Sequence, residues 1–322
     1  MGVDVQLSSG FILALALLVD AVSGEPNWLY RRISHPVILM SNFLMLGEQW
    51  LNKPTWHFGL RRLAGLLLIL IAMGFMGCLG FGIEHSLPQN IWGDLALILI
   101  VSTVLAARSL YDHVRDVGLA LDDSDGLDSA RESVGLIIGR HTAELDEPAI
   151  SRAAIESLAE NFSDGVVAPV FWFLIGGLPG ILIYKMVNTA DSMIGHRSER
   201  YEAFGWASAR IDDGLNLFPA RLTAILFTAA SLFQARAGFA IITAWKYAKL
   251  HASPNAGWPE AAMAGALDLR LGGPRQYPGN VVVDGAWLGS GGEATRDHIK
   301  RALRLANISW GIMLGAIILL QF

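Results

Sequence analysis

Charge-free apolar runs alternate with charged stretches along the chain, and the runs set the expected elements. Leu63–Ile83 is 21 residues without a charge, between Arg61-Arg62 and Glu84, enough for a helix to cross a hydrocarbon core of roughly 30 Å. Leu305–Phe322 gives a second run, of 18 residues. Gly165–Tyr184 gives a third, of 20, but it contains Pro169, Gly176-Gly177 and Pro179-Gly180. Three runs are weaker: Val5–Val19, stopped by Asp20; Leu95–Ala107, short unless Ile91–Asp94 extends it; and Leu222–Ala235, interrupted by Arg236 before Ala237–Trp245 resumes. The N-terminal run lacks a basic leader and a small-residue cleavage site, so it is expected to be retained. No internal repeat is visible. The pattern predicts an all-α, multi-pass integral membrane protein with about 4–6 spanning or re-entrant helical segments, built as a single membrane domain over 1–322.

Loop charge predicts orientation, because lysine and arginine concentrate on the cytoplasmic side. Arg31, Arg32, Lys53, Arg61 and Arg62 lie between the first two runs, and the 84–94 loop has no basic residue. The polar segments 108–164, 185–221 and 246–304 carry five, five and eight. All three are therefore expected on the cytoplasmic side, with 84–94 outside. A straight crossing at 165–184 would put 185–221 on the wrong side. Two half-helices, about 166–175 and 180–190, that enter and return on one side resolve the conflict, since a bent backbone is tolerated where protein covers it. The stretch around 222–245, broken at Arg236, is open to the same reading; straight crossings at both places remain the alternative.

Composition supports the membrane assignment and removes several function classes. Hydrophobic residues make up 53% of the chain and charged ones 16%, with a mean hydropathy of +0.43; a typical soluble domain has roughly 25% charged residues. A net charge of −5 offers no basic face for nucleic acid. The single cysteine, Cys78, excludes a disulfide framework, and no HExxH or paired histidine points to catalytic zinc. No GxxxxGK[ST] occurs, so any ATP use bypasses a P-loop.

The polar segments hold three acidic clusters at helical spacing. Pro148, with Asp146 as a cap, predicts a helix to about Asn161, on which Arg152, Glu156 and Glu160 share a face, with Asn161 and Asp164 at its end. Asn188 and Asp191 form the second cluster, and Asp212, Asp213 and Asn216 the third. Oxygen donors without cysteine suit Mg²⁺, which commonly bridges to substrate phosphates; Arg140, Lys185, Arg197, Arg210 and Arg221 would neutralise those phosphates. Each cluster also has a plainer reading: an ion-paired helix face, an interhelical hydrogen bond, and a helix cap.

These residues bear a family resemblance. Arg152-Ala-Ala-Ile-Glu-Ser-Leu-Ala-Glu-Asn161 with Asp164-Gly-Val-Val-Ala-Pro169, Asn188-Thr189 with Asp191-Ser-Met-Ile-Gly195, and Ala209-Arg210-Ile-Asp212-Asp213 with Asn216 are similar to the adenosylcobinamide-phosphate synthase (CobD/CbiB) family of cobalamin biosynthesis. His35-Pro36-Val37, Gly139-Arg140 and Ser253-Pro-Asn-Ala-Gly257 extend the resemblance over nearly the whole chain. It implies an inner-membrane ligase that joins adenosylcobyric acid to (R)-1-amino-2-propanol, or its O-phosphate, with ATP as co-substrate and Mg²⁺. Glu156, Glu160, Asp164 and Asp191 become the catalytic candidates, and Asp191, Asp212 and Asp213 the metal candidates. His35, Arg140, Asn161, Lys185, Asn188, Arg210, Asn216 and Arg221 become the substrate-binding candidates. The implied partners are the corrinoid, the amine and the bilayer, with no nucleic acid; a homo-oligomer is compatible. Two other classes fit less well: an intramembrane Mg²⁺-dependent diphosphate transferase, which lacks its paired DxxxD motifs here, and a secondary transporter, which lacks a repeated half.

Overall fold

Ser8, His35, His57, Asn90 and Asp146 each place a side-chain acceptor in front of the first free backbone N–H groups of a helix, which is how a helix start is stabilised. The computed structural model describes residues 7–25, 30–32, 34–123, 126–139, 141–277 and 281–322. These form α1 (Ser9–Ser23), α2 (Pro36–Leu51), α3 (Phe58–Ser86), α4 (Ile91–Ser102), α5 (Ala107–Ala120), α6 (Gly126–Gly135), α7 (Glu147–Phe162), α8 (Ala168–Ile194), α9 (Trp206–Leu215), α10 (Leu217–Ala230), α11 (Ala237–Tyr247), α12 (Gly257–Leu267) and α13 (Arg296–Leu319). The strands are β1 (Leu271–Gly272), β2 (Arg275–Tyr277), β3 (Val281–Val283) and β4 (Trp287–Leu288). Among the described residues, five helical stretches are long and apolar enough to cross a bilayer: Phe58–Ser86, Ile91–Ala120, Glu147–Ile194, Leu217–Gln234 and Arg296–Leu319. The chain is a helical, multi-pass membrane protein. It folds as two compact units, one of 1–106, 168–216 and 317–322, the other of 107–167 and 217–316.

In the first unit α8 is a hairpin. Gly176 and Gly177 leave helical geometry, with φ −132°, ψ 17° and φ 59°, ψ −150°. The second of these conformations is open to glycine because a Cβ would collide with the backbone. A Cβ at Gly180 would lie 2.3 Å from the Trp172 carbonyl oxygen. Eight residues of straight helix would separate the two by about 12 Å, so the chain has folded back on itself. The sequence expectation of two half-helices holds in this respect.

The second arm, 178–194, runs antiparallel to α3. Gly80 meets Leu178 and Pro179, and Gly77 meets Ile183, while Ile194 packs with Ala64 and Leu68 near the start of α3. The tip is capped by the far end of α3, where Glu84 accepts the Leu178 N–H at 2.7 Å. Lys185, seven residues below Leu178, therefore lies about 10 Å from the tip. The sequence reading ends the second half-helix at about 190; the helical register of the arm instead continues unbroken to Ile194, so that Asp191 rides on the same helix as Lys185 and Asn188.

In the second unit every residue of α12 is buried. Its Gly and Ala positions let neighbouring backbones approach closely, as in membrane helix packing: Gly265 touches the Phe239 carbonyl and Gly257 the Ala248 carbonyl. α11 thus runs antiparallel to α12. Arg221, near the start of α10, reaches Asn255 and stacks on Trp258 at the start of α12, so α10 runs parallel to it and antiparallel to α11. The break at Arg236 is therefore also a reversal, through left-handed Ala235 with φ 55°. After α12 come two nested antiparallel pairings, Leu271 with Leu288 and Arg275 with Val283, a small β-arm that the sequence pattern did not announce.

Candidate functional site

The first unit gathers the Asn/Asp clusters of α8 and α9. Asp212, only 8% exposed, accepts Asn216 Nδ2 at 2.9 Å and Asn188 Nδ2 at 3.5 Å. Tyr184, buried one helical turn above Asn188, donates to Asn216 Oδ1 at 3.0 Å. Trp172 on the first hairpin arm donates to the Leu215 carbonyl at 3.2 Å. Both arms of the hairpin therefore fix the C-terminal end of α9. Burial, and then the charge of Asp191, push the Asp212 carboxyl up to about 7. Asp213, the next residue, is raised by burial against the opposing pull of Arg210 and Arg197; Arg210, itself exposed, lies 3.5 Å away.

The donor set fits one hard cation shared with a substrate. Among the described residues, no three His, Cys, Asp or Glu side chains converge to hold a metal by themselves. Magnesium is commonly held by one or two carboxylates, with water and substrate phosphate completing its shell. Asp191 and Asp212 supply such a pair, and the Asp191 charge adds to burial in opposing ionisation of Asp212.

Two further candidates lie elsewhere in the same unit. His35 caps α2, its Nδ1 accepting the Val37 N–H at 3.2 Å. With Lys185, Glu25, Val37, Ile38 and the 103–106 segment after α4 it lines a cavity of about 300 Å³. Burial lowers the His35 pKa, Glu25 opposes the shift, and Lys185 adds to it, so the ring is neutral at pH 7.

The second unit holds Glu156, Glu160, Asn161, Asp164 and Arg221. Glu156 Oε1 accepts the Gly272 N–H of β1 at 2.6 Å, and Arg152 lies 3.8 Å from it. That carboxylate therefore ties α7 to the β-arm. Asn161 donates to the Ser157 carbonyl at 2.9 Å, and Ser157 to the Ile137 carbonyl at 3.0 Å. Glu160 is exposed and Asp164 half-buried. Arg221 donates to Asn255 Oδ1 at 2.8 Å. Arg140 lies outside the described residues.

Sequence reasoning missed two polar constructions. In the first unit Glu48, wholly buried, receives Arg200 through both oxygens at 2.9 and 2.8 Å and Asn52 at 2.9 Å. Arg61 donates to Asn52 Oδ1 at 2.9 Å and also bonds the Arg200 carbonyl. This clamp holds the loop that joins Asp191 to Asp212. In the second unit Glu260, also wholly buried, lies 3.7 Å from His251 Nε2, while His251 Nδ1 accepts the Ser253 N–H at 3.0 Å. The Ser-Pro-Asn-Ala-Gly motif signalled the second construction; nothing local signalled the first.

Comparison with known proteins agrees with the resemblance. The family model described as CobD/Cbib protein matches residues 13–306. A cobalamin biosynthesis protein CobD of Sinorhizobium sp is 46% identical over 314 residues, 95% of this chain and 96% of the relative. The protein of the same name from Rhizobium meliloti (strain 1021) is 48% identical over 94% of each chain, and that of Rhodobacter capsulatus 47% over 86% of each. No solved structure matches. With nearly half of its residues shared along almost the full length of these relatives, the chain belongs to the CobD/CbiB family.

Proposed function

We propose that the chain is the amide-forming ligase of cobalamin biosynthesis, acting in the inner membrane. It joins adenosylcobyric acid to (R)-1-amino-2-propanol or its O-phosphate at the expense of ATP. The observation that carries this reading is the pair of carboxylates formed by Asp191 on α8 and Asp212 on α9, framed by Asn188 and Asn216. When bound, Mg²⁺ would neutralise nucleotide phosphates, and these two carboxylates would hold it. Asn188 and Asn216 hold the two oxygens of Asp212 in place, and Tyr184 holds Asn216 in turn. Arg210, exposed on α9, offers a guanidinium to anions arriving from water.

A corrinoid carboxylate reacts with an amine only after one of its oxygens becomes a leaving group. In the proposed sequence that oxygen attacks the γ-phosphorus, ADP departs, and the amine nitrogen displaces phosphate from the acyl carbon. The amine must attack in its neutral form, so a carboxylate takes its proton.

Purified protein with ATP, Mg²⁺, corrinoid acid and amine should form a product heavier than the acid by the amine minus water. Oxygen-18 placed in the corrinoid carboxylate should appear in the released phosphate. ATP turnover that is independent of the corrinoid, with no amide formed, would overturn the assignment.

A further inference from the structure

The cavity bounded by Glu25, His35, Lys185 and the 103–106 segment shares no lining residue with the Asp212 cluster, and its size and charge select its occupant. At about 300 Å³ it is at the lower limit of ligand pockets, too small for a corrinoid or a nucleotide. Its polar groups are of both signs. Lys185 brings an ammonium deep along the membrane arm, where charged side chains are costly and mark substrate paths. His35 commits Nδ1 to the Val37 N–H, which in the neutral ring leaves Nε2–H as the donor open to a ligand. Glu25 adds a carboxylate, and α4 ends at Ser102 with its C-terminal, negative dipole end beside the wall formed by 103–106. In the remaining lining Val37, Ile38, Val104, Leu105 and Ala106 are apolar, and the Thr103 hydroxyl donates to the Ile100 carbonyl at 2.7 Å. Two donors, one acceptor group and an apolar floor match a molecule of a few carbons with an ammonium at one end and a hydroxyl or phosphate at the other.

We propose that this cavity is the subsite for the small amine, with the ammonium directed to Glu25 and the oxygen end to Lys185 and His35. The proposal rests on the ligase reading for the identity of the occupant. The same ammonium–phosphate chemistry occurs in the phosphatidylethanolamine headgroup, so the experiment must separate the soluble molecule from the lipid.

Calorimetric titration of the full chain in detergent, with 1-amino-2-propanol O-phosphate, the unphosphorylated amine or Mg·ATP, provides the test. Lys185→Gln should weaken the phosphate ester by about tenfold or more and the free amine by much less, as loss of a charge-assisted bond requires. Glu25→Gln should weaken both amines alike. Glu25→Gln should not move Mg·ATP by more than about twofold. Lys185→Arg, which keeps the charge, should restore most of the ester affinity, and Val37→Trp, which fills the cavity, should abolish binding of both amines. Unchanged ester affinity in Lys185→Gln and Val37→Trp would overturn the proposal. So would binding of the ester that is lost in phosphatidylethanolamine nanodiscs yet retained in phosphatidylcholine ones, since the lipid would then be the occupant. Failure of the ligase reading shows separately, as absence of amide in the wild type; an active enzyme whose KM for the phosphate ester is unmoved by Lys185→Gln would reject the subsite alone.

Discussion

Near pH 7 the Asp212 carboxyl is balanced between its two forms, because burial and the neighbouring Asp191 charge both oppose ionisation. A carboxyl raised in the folded state stabilises the fold fully below its unfolded value, about 3.8, and that contribution is lost as pH rises through about 7. The metal-free protein should therefore show a melting temperature that falls between pH 4 and 7, with Mg²⁺ or Mn²⁺ reversing the loss at the upper end. Asp212→Asn should flatten both the pH dependence and the metal response; a metal response that survives would remove Asp212 from the site. Glu48 has the opposite sign. The Arg200 bond holds its pKa below the usual 4.5, so its contribution is present above that value and lost as pH falls through the lowered one. Glu48→Gln should cost about 2 kcal/mol in stability and raise the Mg²⁺ needed for half-maximal activity, because it frees the loop between Asp191 and Asp212. An unchanged magnesium requirement would confine Glu48 to a stability role. The Asn188–Asp191 and Asp212–Asn216 groupings were legible in the sequence because three- and four-residue spacings place groups on one helix face. The Glu48–Arg200 pair was not, since 152 residues separate its members and no local pattern carries such a contact.

Among the elements, the α8 hairpin was announced by its own residues: two adjacent glycines, then Pro179 and Gly180. What the pattern could not give was its register, which comes from Gly77 and Gly80 on α3 and from Glu84 at the tip. Gly177→Ala should destabilise the fold by about 1–2 kcal/mol through its left-handed conformation alone. It should cost more because the added carbon would lie 2.6 Å from Glu84 Oε1. Thermal melting in detergent checks this, and a neutral result would mean the tip is not held as described. The π-turn at Ser163–Val167 was invisible for a different reason: its residues are ordinary, and packing imposes the geometry. The β-arm was equally silent, with two- and three-residue strands too short for an alternating pattern to register.

For the whole molecule, the Glu48–Asn52–Arg61–Arg200 clamp fixes Lys53 and Ser198 to the same end of α3, while Gln89 follows its other end. Cysteines placed at Lys53 and Ser198 in a Cys78→Ser background should react only with membrane-permeant reagents in intact cells, and one at Gln89 with impermeant reagents. Labelling of Ser198 from outside would contradict the arrangement that the basic loops predict. The capped tip also implies an order of synthesis. Glu84 is made 94 residues before the Leu178 N–H that it receives, so α3 can be seated in the membrane before the hairpin emerges from the ribosome. A segment that bends back at two glycines, with Lys185 halfway down one arm, is a poor stop-transfer signal for a translocon. It enters instead as a plug into a socket already in place, carrying Lys185, Asn188 and Asp191 with it.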